Sequence, residues 1–279
     1  MLTSALAAVA GRLALIVDGA PGSPPAATQI GIDGLAQGTC MSFPATGNAT
    51  GKTVFVDPGH GGLDPGVVGV AGGQQVLEKA VALAVGTHLT SMLRADGYRV
   101  VMSRVADSSV ARLTASDSVS GALTASAVHR DLLARIACAN ASGASALVSI
   151  HFNAFDDRSV GGTQTFYDAA RAFGSQSKTL AGELQAALVA GLGSADRGVW
   201  TDDQLAAPAL TPSGDVYGHL IELGPPSQGW VDDPSRMPGA LVEPLFLTNA
   251  AEAHLAAGPA GQQRIAAAMR MGLVKYLSK

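Results

Sequence analysis

From Lys52 to the C-terminus, short apolar runs of strand length alternate with longer stretches whose apolar residues recur every three or four positions, and few folds accommodate that alternation. Thr53-Val54-Phe55-Val56 is a buried-strand run that stops at Asp57-Pro58-Gly59, where proline cannot donate to a ladder and glycine turns the chain. A helix is expected over Gln74 to Asp96, with Val81, Val85, Leu89, Met92 and Leu93 on one stripe and Gly97 closing it. Strands are expected at Tyr98 to Ser103, Ala146 to Ile150, Thr163 to Tyr167, His219 to Leu223 and Ala240 to Val242, and helices at Val128 to Ala141, Ser177 to Leu192 and Gln262 to Leu277. The pattern predicts an α/β protein: a single domain with a mostly parallel twisted sheet covered by helices on both faces. In such sheets ligands bind beyond the carboxyl ends of the strands, and two strands here deliver a histidine to that edge, His60 and His151.

Residues 1–51 differ from the rest of the chain, being rich in Ala, Gly, Pro, Ser and Thr with weak periodicity, and are expected to form an N-terminal extension to a folded domain over 52–279. Ala5 to Val17, with small residues after it, has the apolar part of a secretory signal but no basic start, so it reads equally as a signal remnant or a linker. Gly11 and Arg12 interrupt it, and no run is long enough to span a bilayer. A net charge of -4 without a dense Lys/Arg cluster argues against nucleic acid. Cys40 and Cys138 are too far apart for a CxxC site. A disulfide between them requires an exported protein, and the preferred reading of Cys138 is a small buried apolar residue on a helix.

A catalytic zinc site takes three ligands from His and Asp/Glu and leaves one position for water. His60 and His151 supply two. Glu78 is the third candidate, because it opens the first helix on the same stripe as Val81, Val85 and Leu89, and a carboxylate on a buried stripe needs a partner. A buried arginine or the helix N-terminus would also satisfy it. Taken singly, His60 reads as a turn histidine and His151 as a satisfied core histidine.

The surrounding residues add more. Val-Phe-Val-Asp-Pro-Gly-His-Gly-Gly-Leu-Asp-Pro-Gly over 54–66 resembles the opening signature of the zinc N-acetylmuramoyl-L-alanine amidases, cell-wall hydrolases of amidase type 3. Glu78-Lys79, Gly97 to Val100 before Ser103-Arg104, Arg135 to Asn140, Ser149-Ile150-His151-Phe152-Asn153-Ala154, Arg197-Gly198-Val199 and Met237 to Leu255 resemble later motifs of that family in order. The resemblance implies zinc ligands His60, Glu78 and His151 and, from Pro238-Gly239-Ala240-Leu241-Val242-Glu243 with Phe246, Asn249 and Glu252, a catalytic base at Glu243. It implies a Zn2+ hydrolase cutting peptidoglycan or muropeptides between N-acetylmuramic acid and L-alanine, secreted, periplasmic or wall-associated, with a monomer as the working expectation.

Pro244-Leu245 departs from the family pattern, which commonly has glycine before the Phe. Glu222 in His219-Leu220-Ile221-Glu222-Leu223-Gly224 is a second candidate base whose downstream context fits less well. Asp57, Asp64 and Arg135 are expected to orient ligands, Asn249 with Glu252 to form a helix capping pair, and His88, His129, His219 and His254 to be surface or packing residues. Only Phe152 to Val160 separates His151 from Gly161-Gly162, which predicts a site without a covering lid. Ser108 to Ala127 reads as an exposed insertion without substrate contact, in preference to a loop over the substrate groove. The same chemistry on stem-peptide bonds, or a fold retained for wall binding without turnover, are the rival readings.

Overall fold

The computed structural model describes residues 26–204 and 209–279, so the signal-or-linker reading of Ala5 to Val17 falls outside the described residues. Eight strands form one sheet: β1 (Thr28–Gln29), β2 (Thr39–Phe43), β3 (Thr53–Pro58), β4 (Arg99–Arg104), β5 (Ala146–Ile150), β6 (Thr163–Tyr167), β7 (Asp196–Thr201) and β8 (Gly239–Glu243), in the spatial order β1-β2-β4-β3-β5-β8-β6-β7. The four central strands β4, β3, β5 and β8 are mutually parallel, while β2 and β6 run antiparallel to their inner neighbours. The carboxyl ends of β3, β5 and β8 therefore meet at one edge, and that of β6 lies at the opposite one.

The sheet is buried on both faces because its central strands are largely apolar on both sides, and alternate residues serve different cores. Val54, Val56, Val100, Met102, Val148, Ile150, Ala240 and Val242 pack into the larger core with α1 (Glu78–Ala95), α3 (Gly174–Leu192) and α5 (Pro259–Leu277). Phe55, Val101, Leu147 and Leu241 face the other way, onto α2 (Ala125–Ser142). The side chain of Thr124 caps α2 by accepting from Ala127 N–H, and Gly143 ends it in the left-handed conformation. The short helix α4 (Ala250–Ala257) precedes α5.

Four local expectations change. Gln74–Leu77 is strand, not helix: Gly72-Gly73, both at positive φ, turn the chain so that it pairs with Val68–Ala71, and the helix starts at Glu78. His219 to Leu223 is a turn, closed by Leu223 and Gly224 N–H groups on Leu220 O, and the unexpected strand β7 takes the sheet edge instead. Residues 26–51, read from composition as part of an extension, supply β1 and β2 to the sheet. Finally, Cys138 is buried as expected but not as a free thiol, because it is disulfide-bonded to Cys40 on β2. That crosslink closes a separation of 98 residues, for which restricting the unfolded chain is worth about 2–5 kcal/mol.

Candidate metal centre

His60, Glu78 and His151 reach one point from three elements. Glu78 is the first residue of α1, His60 lies two residues past β3, and His151 directly follows β5. His60 Nε2 and His151 Nδ1 each lie 3.0 Å from Glu78 Oε1 and 3.1 Å from one another. Three ligand atoms around a tetrahedral zinc with bonds of about 2.0–2.1 Å would sit about 3.3 Å apart, so the donor set fits such an ion in type and spacing. Glu78 is 2% exposed while the imidazoles are 22% and 18% exposed, so the cluster is buried on the carboxylate side and open on the other.

The surroundings fix each ligand before any ion is considered. Glu78 Oε2 accepts from Val67 N–H at 2.7 Å and Oε1 from Phe152 N–H at 2.8 Å. His60 Nδ1 pairs with Asp64 Oδ2 at 2.8 Å, which aims Nε2 inward. His60 itself adopts φ 60°, a left-handed conformation uncommon for a side-chain-bearing residue, and neighbouring groups hold it there. Arg135 Nη2 donates to His60 O at 2.6 Å, and Arg104 donates to Pro58 O and Gly59 O at 2.9 and 2.8 Å. Gly59 is required because a Cβ there would stand 2.3 Å from the His151 ring. Gly66, at φ +64°, is required because one would stand 2.5 Å from Glu78 Oε2.

Burial opposes a charged imidazole at His60, yet Asp64 and Glu78 together push it up to about 9. Burial likewise opposes ionisation of Glu78, but His151 and His60 hold it well below the usual carboxylate range. Without an ion the cluster keeps a proton on imidazole, which metal binding must release.

Glu243 ends β8 and lines the same open cleft as His60, Glu78, His151 and Asn153, a space of about 450 Å³. Its Oε2 is buried without a hydrogen-bond partner, and burial followed by the Glu78 carboxylate push its carboxyl well above the usual range. Pro244 does not displace it: β8 stays in register with β6, Gln164 opposite Glu243, and Pro244 O accepts from Thr163 Oγ1 at 2.9 Å. Glu222, the other glutamate weighed as a base, is 4% exposed and bonds to Ser149 Oγ at 3.0 Å beside Asp57. It lines a more enclosed cavity of about 210 Å³ that also touches both imidazoles, on a side of them that Glu243 does not line, together with Asp57, Arg135, Leu220 and Leu241.

Burial, then the neighbouring Asp57, push Glu222 well above its ordinary value, so the fold favours its neutral form. A carboxyl raised on folding costs nothing below its unfolded value near 4.5 and destabilises increasingly as pH rises above it. Glu222→Gln, which keeps a donor toward Asp57, is accordingly expected to stabilise the protein in urea unfolding at pH 8 and to be neutral at pH 4.

Asp57, Asp64 and Arg135 stand where sequence reading placed them, around the ligands. Missed were Asp131, whose Oδ2 is 2.9 Å from Arg135 and whose Oδ1 accepts from Val110 and Ala111 N–H, and Lys79, which donates to Gly62 O at 2.6 Å and Asp107 at 2.8 Å. The i,i+4 spacing of Asp131 and Arg135 on a helix was the available signal. Asn249 caps α4, but Glu252 does not complete a capping box: it accepts from Phe246 and Gly162 N–H, joining the β8 exit to the loop after His151. Ser108 to Ala127 is not wholly exposed, since Leu123 lines the enclosed cavity. The loop after His151 forms no lid, leaving both imidazoles accessible.

Two imidazoles and a carboxylate converging at the carboxyl edge of a mostly parallel sheet, with an unpaired glutamate beside them, define the centre of a metal-dependent hydrolase. The comparisons narrow this class: the family model described as N-acetylmuramoyl-L-alanine amidase matches residues 54–275, and the chain belongs to that family. It is 30% identical to N-acetylmuramoyl-L-alanine amidase LytC of Bacillus subtilis over 81% of this chain, although it spans only 36% of LytC's length. It is 28% identical to the germination-specific N-acetylmuramoyl-L-alanine amidase of the same organism, over 82% of this chain and 81% of the relative. Among solved structures, the CwlD amidase of Clostridioides difficile superposes with a TM-score of 0.63 at 29% identity, covering 81% of this chain and 98% of that one.

Proposed function

We propose that this chain hydrolyses the amide bond between N-acetylmuramic acid and the L-alanine of the stem peptide in peptidoglycan, with Zn2+ held by His60, Glu78 and His151 and Glu243 as general base. The observation that carries the reading is the pairing of a three-ligand cluster with an unpaired, buried Glu243 oxygen in one open cleft. When bound, zinc would lower the pKa of a water it holds toward neutrality and polarise the scissile carbonyl. Glu243 takes a proton from the attacking water as its oxygen bonds to the carbonyl carbon, and returns that proton to the alanine nitrogen as the C–N bond breaks. Burial raises the proton affinity of the Glu243 carboxyl, which suits a group that takes a proton from water. The partly exposed imidazoles leave the substrate side clear.

The Cys40–Cys138 disulfide favours a secreted, periplasmic or wall-associated location, where such bonds persist. None of the described helices is long and apolar enough to cross a membrane. The substrate partner is a muropeptide or the intact wall, and the working form a monomer.

Mass analysis of purified muropeptide after incubation is the test. Free sugar and an intact stem peptide, lost with a chelator and restored by zinc, are expected. Cleavage inside the stem peptide would replace this reading with a peptidase, and an intact muropeptide over fully metallated protein would overturn it.

A further inference from the structure

His219, read from sequence as a surface or packing residue, lies at a second convergence of ligand atoms far along the chain from the first. Its Nδ1 is 2.8 Å from Asp168 Oδ2 and 3.3 Å from Asp202 Oδ1. The two aspartates terminate neighbouring strands: Asp168 follows β6 and Asp202 follows β7. Because β6 runs antiparallel to β8, this cluster sits at the edge of the sheet opposite the one that carries Glu243.

The arrangement has the marks of a built site. Each aspartate is anchored by one oxygen and turns the other toward His219: Asp202 Oδ1 hydrogen-bonds the imidazole Nδ1 at 3.3 Å, whereas Asp168 Oδ2 has no hydrogen-bond partner. Asp168 Oδ1 accepts from Ala170 and Arg171 N–H at 2.8 and 3.0 Å, and Asp202 Oδ2 accepts from Leu220 N–H at 3.0 Å. Both residues are 1% exposed. Asp168 Oδ2 faces His219 yet makes no hydrogen bond, since the imidazole is close but not aligned to donate to it. Two buried carboxylates this close repel, and burial together with Asp168 pushes Asp202 up to about 7.

The other polar groups nearby are committed elsewhere. The Arg171 guanidinium donates to the carbonyls of Leu223, Gly224 and Ser235, and the Tyr217 hydroxyl to Pro225 O. A buried, unpartnered carboxylate oxygen converging with a second carboxylate on one imidazole nitrogen fits a cation held between them, and the alternative is His219 acting as a simple ion-pair partner.

We propose that Asp168, Asp202 and His219 form a second divalent-cation site that pins the turn at His219 to the sheet. Two carboxylate oxygens and one imidazole suit a first-row ion such as Zn2+ or Mn2+, with remaining positions held by water. The ion ties the exit of β6 to the exit of β7 and to His219, directly before Leu220, Ile221 and Glu222, which line the more enclosed cavity that touches both imidazoles. Its role is structural, and it does not depend on the reaction proposed above.

The test is metal content of the full-length protein after equilibration with zinc and removal of the excess, repeated with manganese. Two equivalents per chain are expected for the wild type, one for His219→Ala and one for Glu78→Gln. The Glu78→Gln protein should still gain in Tm on addition of zinc, and lose that gain when His219→Ala is added. His254→Ala, at an exposed helical histidine, serves as the control and leaves the count at two. His219 is a quarter exposed and makes the milder variant should Asp168→Asn fail to fold. One equivalent in the wild type, unchanged by His219→Ala, overturns the proposal, and so does a His219→Ala loss of Tm that is the same with and without metal, which would leave a plain ion pair.

Discussion

Glu243→Gln is expected to lower kcat on muropeptide by about 10²–10⁴-fold, the range for removing a general base, with zinc content unchanged. Glu243 lines the cleft without being one of the three converging ligands, and its free Oε2 is the feature that glutamine removes as a proton acceptor while keeping the shape. KM should move little, since the lost interaction belongs to the transition state. The measurement is steady-state kinetics beside elemental analysis of the same preparation. Loss of zinc together with activity would make Glu243 a ligand, and retained turnover would remove it from the reaction.

Arg135→Ala is expected to destabilise the fold by about 3–5 kcal/mol, the cost of breaking a buried ion pair from one side. Arg135 is 2% exposed and holds Asp57 Oδ1 at 2.8 Å, Asp131 Oδ2 at 2.9 Å and the carbonyls of Pro58 and His60. The change leaves the fully buried Asp57 charge without its cation. Urea unfolding of the metal-free protein measures the effect without a contribution from ion binding.

Its pH dependence has a defined sign. Burial alone would raise Asp57, but Arg135 and the bond from Glu222 bring it down to about 2. A depressed carboxylate stabilises the fold above its unfolded value near 3.8 and loses that contribution as pH falls toward about 2. The gap between wild type and variant should therefore be full at pH 7 and narrow below pH 3.8. A gap that stays constant with pH would mean that the arginine acts through packing and the carbonyl bonds alone.

Sequence periodicity located the central strands and long helices because both their faces or one whole stripe are apolar, as in Phe55 with Val54 and Val56, or Val81 with Val85 and Leu89. It failed where pairing partners are distant or where glycines override the pattern. Thr39–Phe43 is a strand next to the sheet edge whose residues say little until β4 is beside it, and Gln74–Leu77 continues a helical stripe that Gly72-Gly73 turns back on Val68–Ala71. The convergence of His60, Glu78 and His151 was legible because strand ends and a buried-stripe carboxylate are local signals. The Asp168, Asp202 and His219 cluster was not, since its members belong to three separate elements and none carries a periodic or motif signature. The disulfide was undecidable for a similar reason: only the fold reveals that β2 and α2 face one another.

The loop that carries His60 is gripped by two guanidiniums rooted in different layers, Arg104 at the end of β4 and Arg135 in the middle of α2. A ligand loop set in place by the scaffold has little freedom left to surrender when an ion arrives. The empty and loaded proteins should then share one backbone, and the ion would dock into a finished seat, its uptake paced by shedding its own water and the His60 proton and not by any rearrangement of the chain.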